Sequence, residues 1–139
     1  MIQFIIMMTL LVAVFTGCAA TPHHVSQSAD LSHRVQLLGF AACPNTPLME
    51  KRLRMALDRI GASSPIEYVD QDALEAGDVQ RGWPAPTVLV DGQDLYGMTP
   101  PRTPSMGCRM YAGPGGLPTV DELVQRLNGT GLDSGVSHQ

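Results

Sequence analysis

Apolar and polar positions change period several times along the chain, and the changes mark the elements. Residues 1–17 (MIQFIIMMTLLVAVFTG) are uninterrupted by charge. That run has the length of a secretory hydrophobic region and is short for a spanning helix. Residues 18–34 turn polar and read as a solvated tether carrying His23, His24 and His33. Residues 35–40 (VQLLGF) form a short apolar run of the kind that makes a buried strand. Met49, Leu53, Ala56, Leu57 and Ile60 then fall on one face at helical spacing, and Gly61 is a natural stop. Pro44 and Pro47 suit the first turn of that helix, where backbone N–H groups lack intrahelical partners.

Residues 66–70 (IEYVD) alternate like a strand, and 71–82 are polar, predicting a short helix or a loop. Residues 87–90 (TVLV) are a β-branched strand. Asp91-Gly92 is a two-residue hairpin signal, with 93–96 as the returning strand. Residues 97–118 are loop, rich in Pro and Gly. Thr119 followed by Glu122 makes a capping box for a last helix over 119–127. The order β-α-β-(α)-β-β-α implies a parallel pair joined through a helix, then an antiparallel hairpin. The expected fold class is α/β, a mixed central sheet flanked by helices.

Composition narrows the function. Nine Lys+Arg against 13 Asp+Glu leave a net charge of −4, which argues against a nucleic-acid binder with its basic face. Aromatic content of 5% argues against a base-stacking platform. Three cysteines are too few for a disulfide-dense scaffold. The chain divides into a leader at 1–17, a tether at 18–34, a folded unit at 35–128 and a flexible tail at 129–139.

Phe15-Thr16-Gly17-Cys18-Ala19 resembles a bacterial lipobox. The resemblance implies cleavage before Cys18 and lipid attached to it. The protein would then be a membrane-anchored lipoprotein on the extracytoplasmic side of the cell envelope. This leader has no Lys or Arg ahead of the apolar run, and Phe15 stands where lipoboxes usually have Leu.

Within 35–128 three features occur in order. Cys43-Pro44-Asn45-Thr46 follows the first strand, Pro86 immediately precedes the 87–90 strand, and Val90-Asp91-Gly92 forms a hairpin. A fourth segment, Cys108-Arg109-Met110-Tyr111, comes late. Together they resemble the thioredoxin-like superfamily. More narrowly, the chain is similar to small members with a GCPN-type loop, a PTVLVDG hairpin and a late CRxY segment, some of which carry an alkylmercury lyase label. The resemblance implies a thioredoxin-like fold, with Pro86 cis and packed beside Cys43, shaping a substrate surface. Thr46 occupies the place of the second cysteine of the usual dithiol motif, so no disulfide can form inside it.

Cys43 is the expected nucleophile, since a helix N-terminus stabilises a thiolate. Thr46 is expected to add a hydroxyl hydrogen bond, and Trp83 to offer apolar contact area to a substrate. With Cys18 lipidated, Cys108 is the remaining thiol and the natural resolving partner. The pair suits thiol–disulfide exchange with a protein or small thiol/disulfide substrate, with no cofactor. Two other readings stay open: two thiolates gripping a soft metal ion such as mercury, and a thioredoxin-fold module without chemistry. Arg109 either acts on Cys108, pairs with an acid or is solvated. Asp91 and Asp94 read as turn residues. Met98, Met106 and Met110 read as loop and core filling rather than thioether ligands.

Overall fold

The structure, a computed structural model, describes residues 33–131. The leader, Cys18, His23, His24 and residues 132–139 lie outside the described residues. Five elements of the described unit follow the expected order: β1 (Val35–Gly39), α1 (Asn45–Arg59), β2 (Ile66–Asp70), β3 (Thr87–Val90) and β4 (Gln93–Asp94). A short 3-10 turn at Pro114–Gly116 precedes α2 (Val120–Asn128). The sheet runs β2-β1-β3-β4. β1 pairs parallel with β2 and antiparallel with β3, and β3 pairs antiparallel with β4. The protein is therefore mixed α/β, with a four-stranded mixed sheet and two helices. Among the described residues no helix is long and apolar enough to cross a membrane.

Side-chain alternation divides the sheet into two buried faces. Val35, Leu37, Val88 and Val90 pack on Met49, Leu53, Ala56 and Leu57 of α1 and Leu123 and Leu127 of α2. Both helices thus share one face. Leu38 and Leu89 point the other way, against Val69 and Trp83. Among the described residues both helices lie on one side of the sheet. Its second face is covered by residues 71–84, which form turns rather than the short helix that was one of the two expectations.

That cover is fastened by a buried glutamine. Gln71 is fully buried, donates from Nε2 to the Trp83 carbonyl and accepts from the Gly82 N–H. Its own N–H, one residue past the end of β2, donates to the carbonyl of Gly39, the last residue of β1, at 2.8 Å. A polar side chain buried with its amide paired costs little.

The local signals behave as their chemistry requires. Asp91 and Gly92 both have positive φ, 51° and 80°, which a tight two-residue hairpin turn demands. The returning strand is only two residues long. The Thr119 hydroxyl accepts from the Glu122 N–H, capping α2. The last two residues of the tether, His33 and Arg34, are tied to the folded unit by surface contacts. Asp91 accepts from the Arg34 N–H and pairs with His33, and Arg34 grips Glu67 through two 2.8 Å bonds. At the other end, Thr130 folds back on the Leu127 carbonyl and extends the order past residue 128.

Candidate functional site

The site begins where β1 ends. Gly39 is followed by a turn in which the Cys43 N–H donates to the Phe40 carbonyl at 3.0 Å. Pro44 is the N-cap of α1 and supplies no side-chain hydrogen bond. Cys43 therefore sits one residue ahead of the cap, at the positive end of a 15-residue helix whose first turn carries no acid. It is 2% exposed and packs with Phe40 and Ala85. Its S–H donates to the Ala85 carbonyl at 3.4 Å.

Cys108 arrives from the long loop. Ala85 donates to the Gly107 carbonyl at 2.9 Å, and the Arg109 N–H donates back to the Ala85 carbonyl at 2.6 Å. This isolated parallel bridge lays residues 107–109 beside residue 85. The Cys108 Sγ comes to 3.7 Å from the Cys43 Sγ, across 65 residues of chain. Both thiols are free, Cys43 buried and Cys108 exposed. The hydrogen bond to Cys43, burial and the charge of a Cys43 thiolate all push the Cys108 thiol up.

Arg109 and Tyr111 hold that segment in place. Arg109 makes two hydrogen bonds to Asp94, at 2.6 and 3.0 Å, and a third to the Thr87 hydroxyl. Its guanidinium also lies 4.6 Å from the Tyr111 ring centroid. Burial opposes its charge, but the hydrogen bond to Asp94 and the charges of Tyr111, Asp94 and Tyr96 together outweigh it, so its pKa is raised. The Tyr111 hydroxyl donates to the Pro86 carbonyl at 2.7 Å. Of the alternatives open for Arg109, the structure selects the ion pair with an acid. Asp94 is more than a turn residue: it is buried and also accepts from the Tyr96 and Met98 N–H groups.

Beside Cys43 lies a cleft of about 200 Å³, bordered by Phe40, Thr46, Pro47, Glu50 and Tyr68. Burial and the nearby Asp70, Asp72 and Cys43 push the Tyr68 phenol up. Thr46 is 5% exposed, and its Oγ1 has no hydrogen-bond partner, so the expected hydroxyl bond to Cys43 is not made. Gly39 explains the crowding. A Cβ there would sit 2.5 Å from the Thr46 Cγ2 and 3.0 Å from the Tyr68 ring, so only glycine admits Thr46 this close to β1.

The remaining expected site residues divide. The Ala85–Pro86 peptide bond is cis and Pro86 is buried, one residue from the carbonyl that accepts from Cys43. Trp83 is not available as a substrate face. It is 2% exposed, packed on Leu38, Val69 and Leu89, and donates from Nε1 to the Val79 carbonyl. The clefts it borders contain neither cysteine. Met98, Met106 and Met110 are exposed, at 37, 40 and 71%, so they do not fill the core. Among the described residues no group of three or more His, Cys, Asp or Glu gathers as a metal site.

Sequence reading missed Asp94, Ala85 and Gly39. Asp94 stands opposite Leu89 in the hairpin register, and only the fold shows that Arg109 reaches it. Ala85 acts through its backbone, which no side-chain pattern announces. Comparison with family models, with curated proteins and with solved structures finds no match.

Proposed function

We propose that the protein is a thiol–disulfide exchange protein whose redox pair is Cys43 and Cys108. The observation that carries this reading is the 3.7 Å approach of two free sulfurs from opposite ends of the folded unit. A disulfide has an S–S length of about 2.05 Å, so closure needs a contraction of about 1.7 Å. Segment 107–109 meets residue 85 through an isolated bridge rather than a full strand. The chemistry is a two-electron exchange. A substrate disulfide is reduced to two thiols while Cys43 and Cys108 lose their protons and join, or the reverse.

The fold reading goes with it. A thioredoxin-like arrangement is supported by the β1-α1-β2 parallel unit, the β3–β4 hairpin, Cys43 ahead of α1 and Pro86 ahead of β3. In this reading residues 1–17 address the domain to the cell envelope and Cys18 carries the lipid. Cys43 and Cys108 are then the only thiols left, in a compartment that favours the oxidised form.

The test is a redox titration of the protein in glutathione buffers, with thiols counted and cross-linked peptides mapped by mass spectrometry. The expected result is a Cys43–Cys108 bond that opens reversibly between about −270 and −120 mV, the range of thiol–disulfide exchange proteins. Two thiols that stay free throughout overturn the reading. A bond that resists reduction until the protein unfolds makes the pair a structural staple and also overturns it.

A further inference from the structure

The exposure of the two sulfurs is the reverse of what the sequence motif leads one to expect. Cys43, ahead of the helix, is the buried member, and Cys108, on the loop, is the exposed one. Resting on the exchange reading above, we propose that partner sulfurs bond to Cys108, with Cys43 as the buried leaving and resolving sulfur. We further propose that the partner is an extended cysteine-containing polypeptide laid along residues 106–110.

Three observations lead there. The first is access: a chain approaching the oxidised pair meets the exposed Cys108 Sγ, because Cys43, although it lines the cleft, is only 2% exposed and packs on Phe40 and Ala85. The second is the leaving group. Attack on a disulfide is fastest when the expelled sulfur is the better-stabilised thiolate. Expelled from Cys108, Cys43 emerges at the N-terminus of α1, where the helix dipole favours its charge.

The third is backbone geometry. The Gly107 carbonyl and the Arg109 N–H both turn toward Ala85. In extended chain the groups of the intervening residue turn the opposite way. The N–H and carbonyl of Cys108 accordingly face outward and make no hydrogen bond among the described residues. An unpaired edge of this kind takes an added strand. Met106 and Met110 flank it at two residues on either side, exposed and apolar, and thioether side chains adapt to varied neighbours. A small thiol would use the sulfur alone; an extended peptide uses the sulfur, the edge and the methionines.

The step balances. A peptide thiolate attacks the Cys108 Sγ, the new S–S bond forms, the Sγ–Sγ bond breaks, and Cys43 departs with the electron pair and takes a proton from water. A second peptide thiolate attacks the peptide sulfur of the mixed disulfide and releases Cys108, which is then protonated. Two peptide thiols are oxidised to one disulfide and the protein disulfide is reduced to two thiols. A small disulfide such as oxidised glutathione reloads the pair by the reverse exchange.

The test uses the oxidised full-length protein, a reduced ten-residue peptide with one central cysteine, the same peptide N-methylated at alternate amides, and glutathione. Reactions are quenched in acid and mixed disulfides mapped. The expected result is mixed disulfide on Cys108 in at least about tenfold excess over Cys43. The peptide should also react about tenfold faster than glutathione per thiolate, and lose that advantage on N-methylation. Mixed disulfide on Cys43, or equal rates for all three thiols, overturns the proposal while leaving a working redox pair. If no Cys43–Cys108 bond forms under any oxidant, the exchange reading beneath it has failed instead.

Discussion

Arg109 meets Asp94 through two parallel hydrogen bonds, with side chains 10% and 0% exposed. The pair joins the loop that carries Cys108 to the strand after the hairpin, and so fixes one sulfur relative to the sheet. An ion pair this buried is no guarantee of stability, because both charges have left water. Its value lies in adding a side-chain anchor to the Pro- and Gly-rich loop 97–118, beside the backbone bridge to Ala85 and the Tyr111–Pro86 bond.

Breaking that pair should therefore be felt twice. Asp94→Ala leaves the Arg109 guanidinium buried and unpaired, and should cost about 3–5 kcal/mol in urea unfolding. It should also slow Cys43–Cys108 bond formation, followed by thiol counting after oxidant is added. An unchanged closure rate in a folded Asp94→Ala protein would show that Arg109 does not position Cys108.

The pH response of Cys108 follows from its neighbour. Its thiol is raised because Cys43 accepts its hydrogen bond and, once charged, repels a second thiolate. Cys43→Ala should move the midpoint of Cys108 alkylation by iodoacetamide to lower pH. The stability of the reduced protein should fall as pH rises above the ordinary thiol range. There the unfolded chain has released a proton that the folded chain still holds. Cys108→Ser should flatten that fall.

Gly39→Ala tests the crowding at the head of α1. The new Cβ would stand 2.5 Å from the Thr46 Cγ2, so Thr46 or the helix must move. Overpacking of this kind costs about 1–3 kcal/mol. The loss should appear as a lower Tm, and a wild-type Tm would mean that the helix start yields freely.

Thr46→Val removes a hydroxyl that is buried without a partner. Deleting an unpaired buried polar group at nearly constant volume should stabilise the protein by about 1 kcal/mol in urea. Destabilisation would reveal that the hydroxyl is used in the folded state.

The strands, both helices and the hairpin were legible because each has a local cause. Apolar spacing on Met49, Leu53 and Leu57 makes a helix face, and Asp91-Gly92 accepts the positive φ of a tight turn. Even the Thr119 cap follows from a residue and its third neighbour. What escaped depends on contacts distant in sequence. Trp83 looked like a surface aromatic because its partners Leu38 and Leu89 lie on two other strands. Both helices on one sheet face, and Gln71 fastening the other, follow from topology and not from period. Cys43 and Cys108 were paired by elimination in the sequence, whereas in the fold Ala85 joins them.

Ala85 has one further implication. Its carbonyl oxygen accepts from the Cys43 thiol and from the Arg109 N–H, and its own N–H is taken by the Gly107 carbonyl. Both sulfurs are thus located from a single residue, like two marks measured from one origin. Loop 97–105 can gain or lose residues without altering the separation of the sulfurs, because none of that length enters the measurement. The spacing that matters for this protein is not the count of residues between its cysteines but the short links that Cys43, Gly107 and Arg109 make to residue 85.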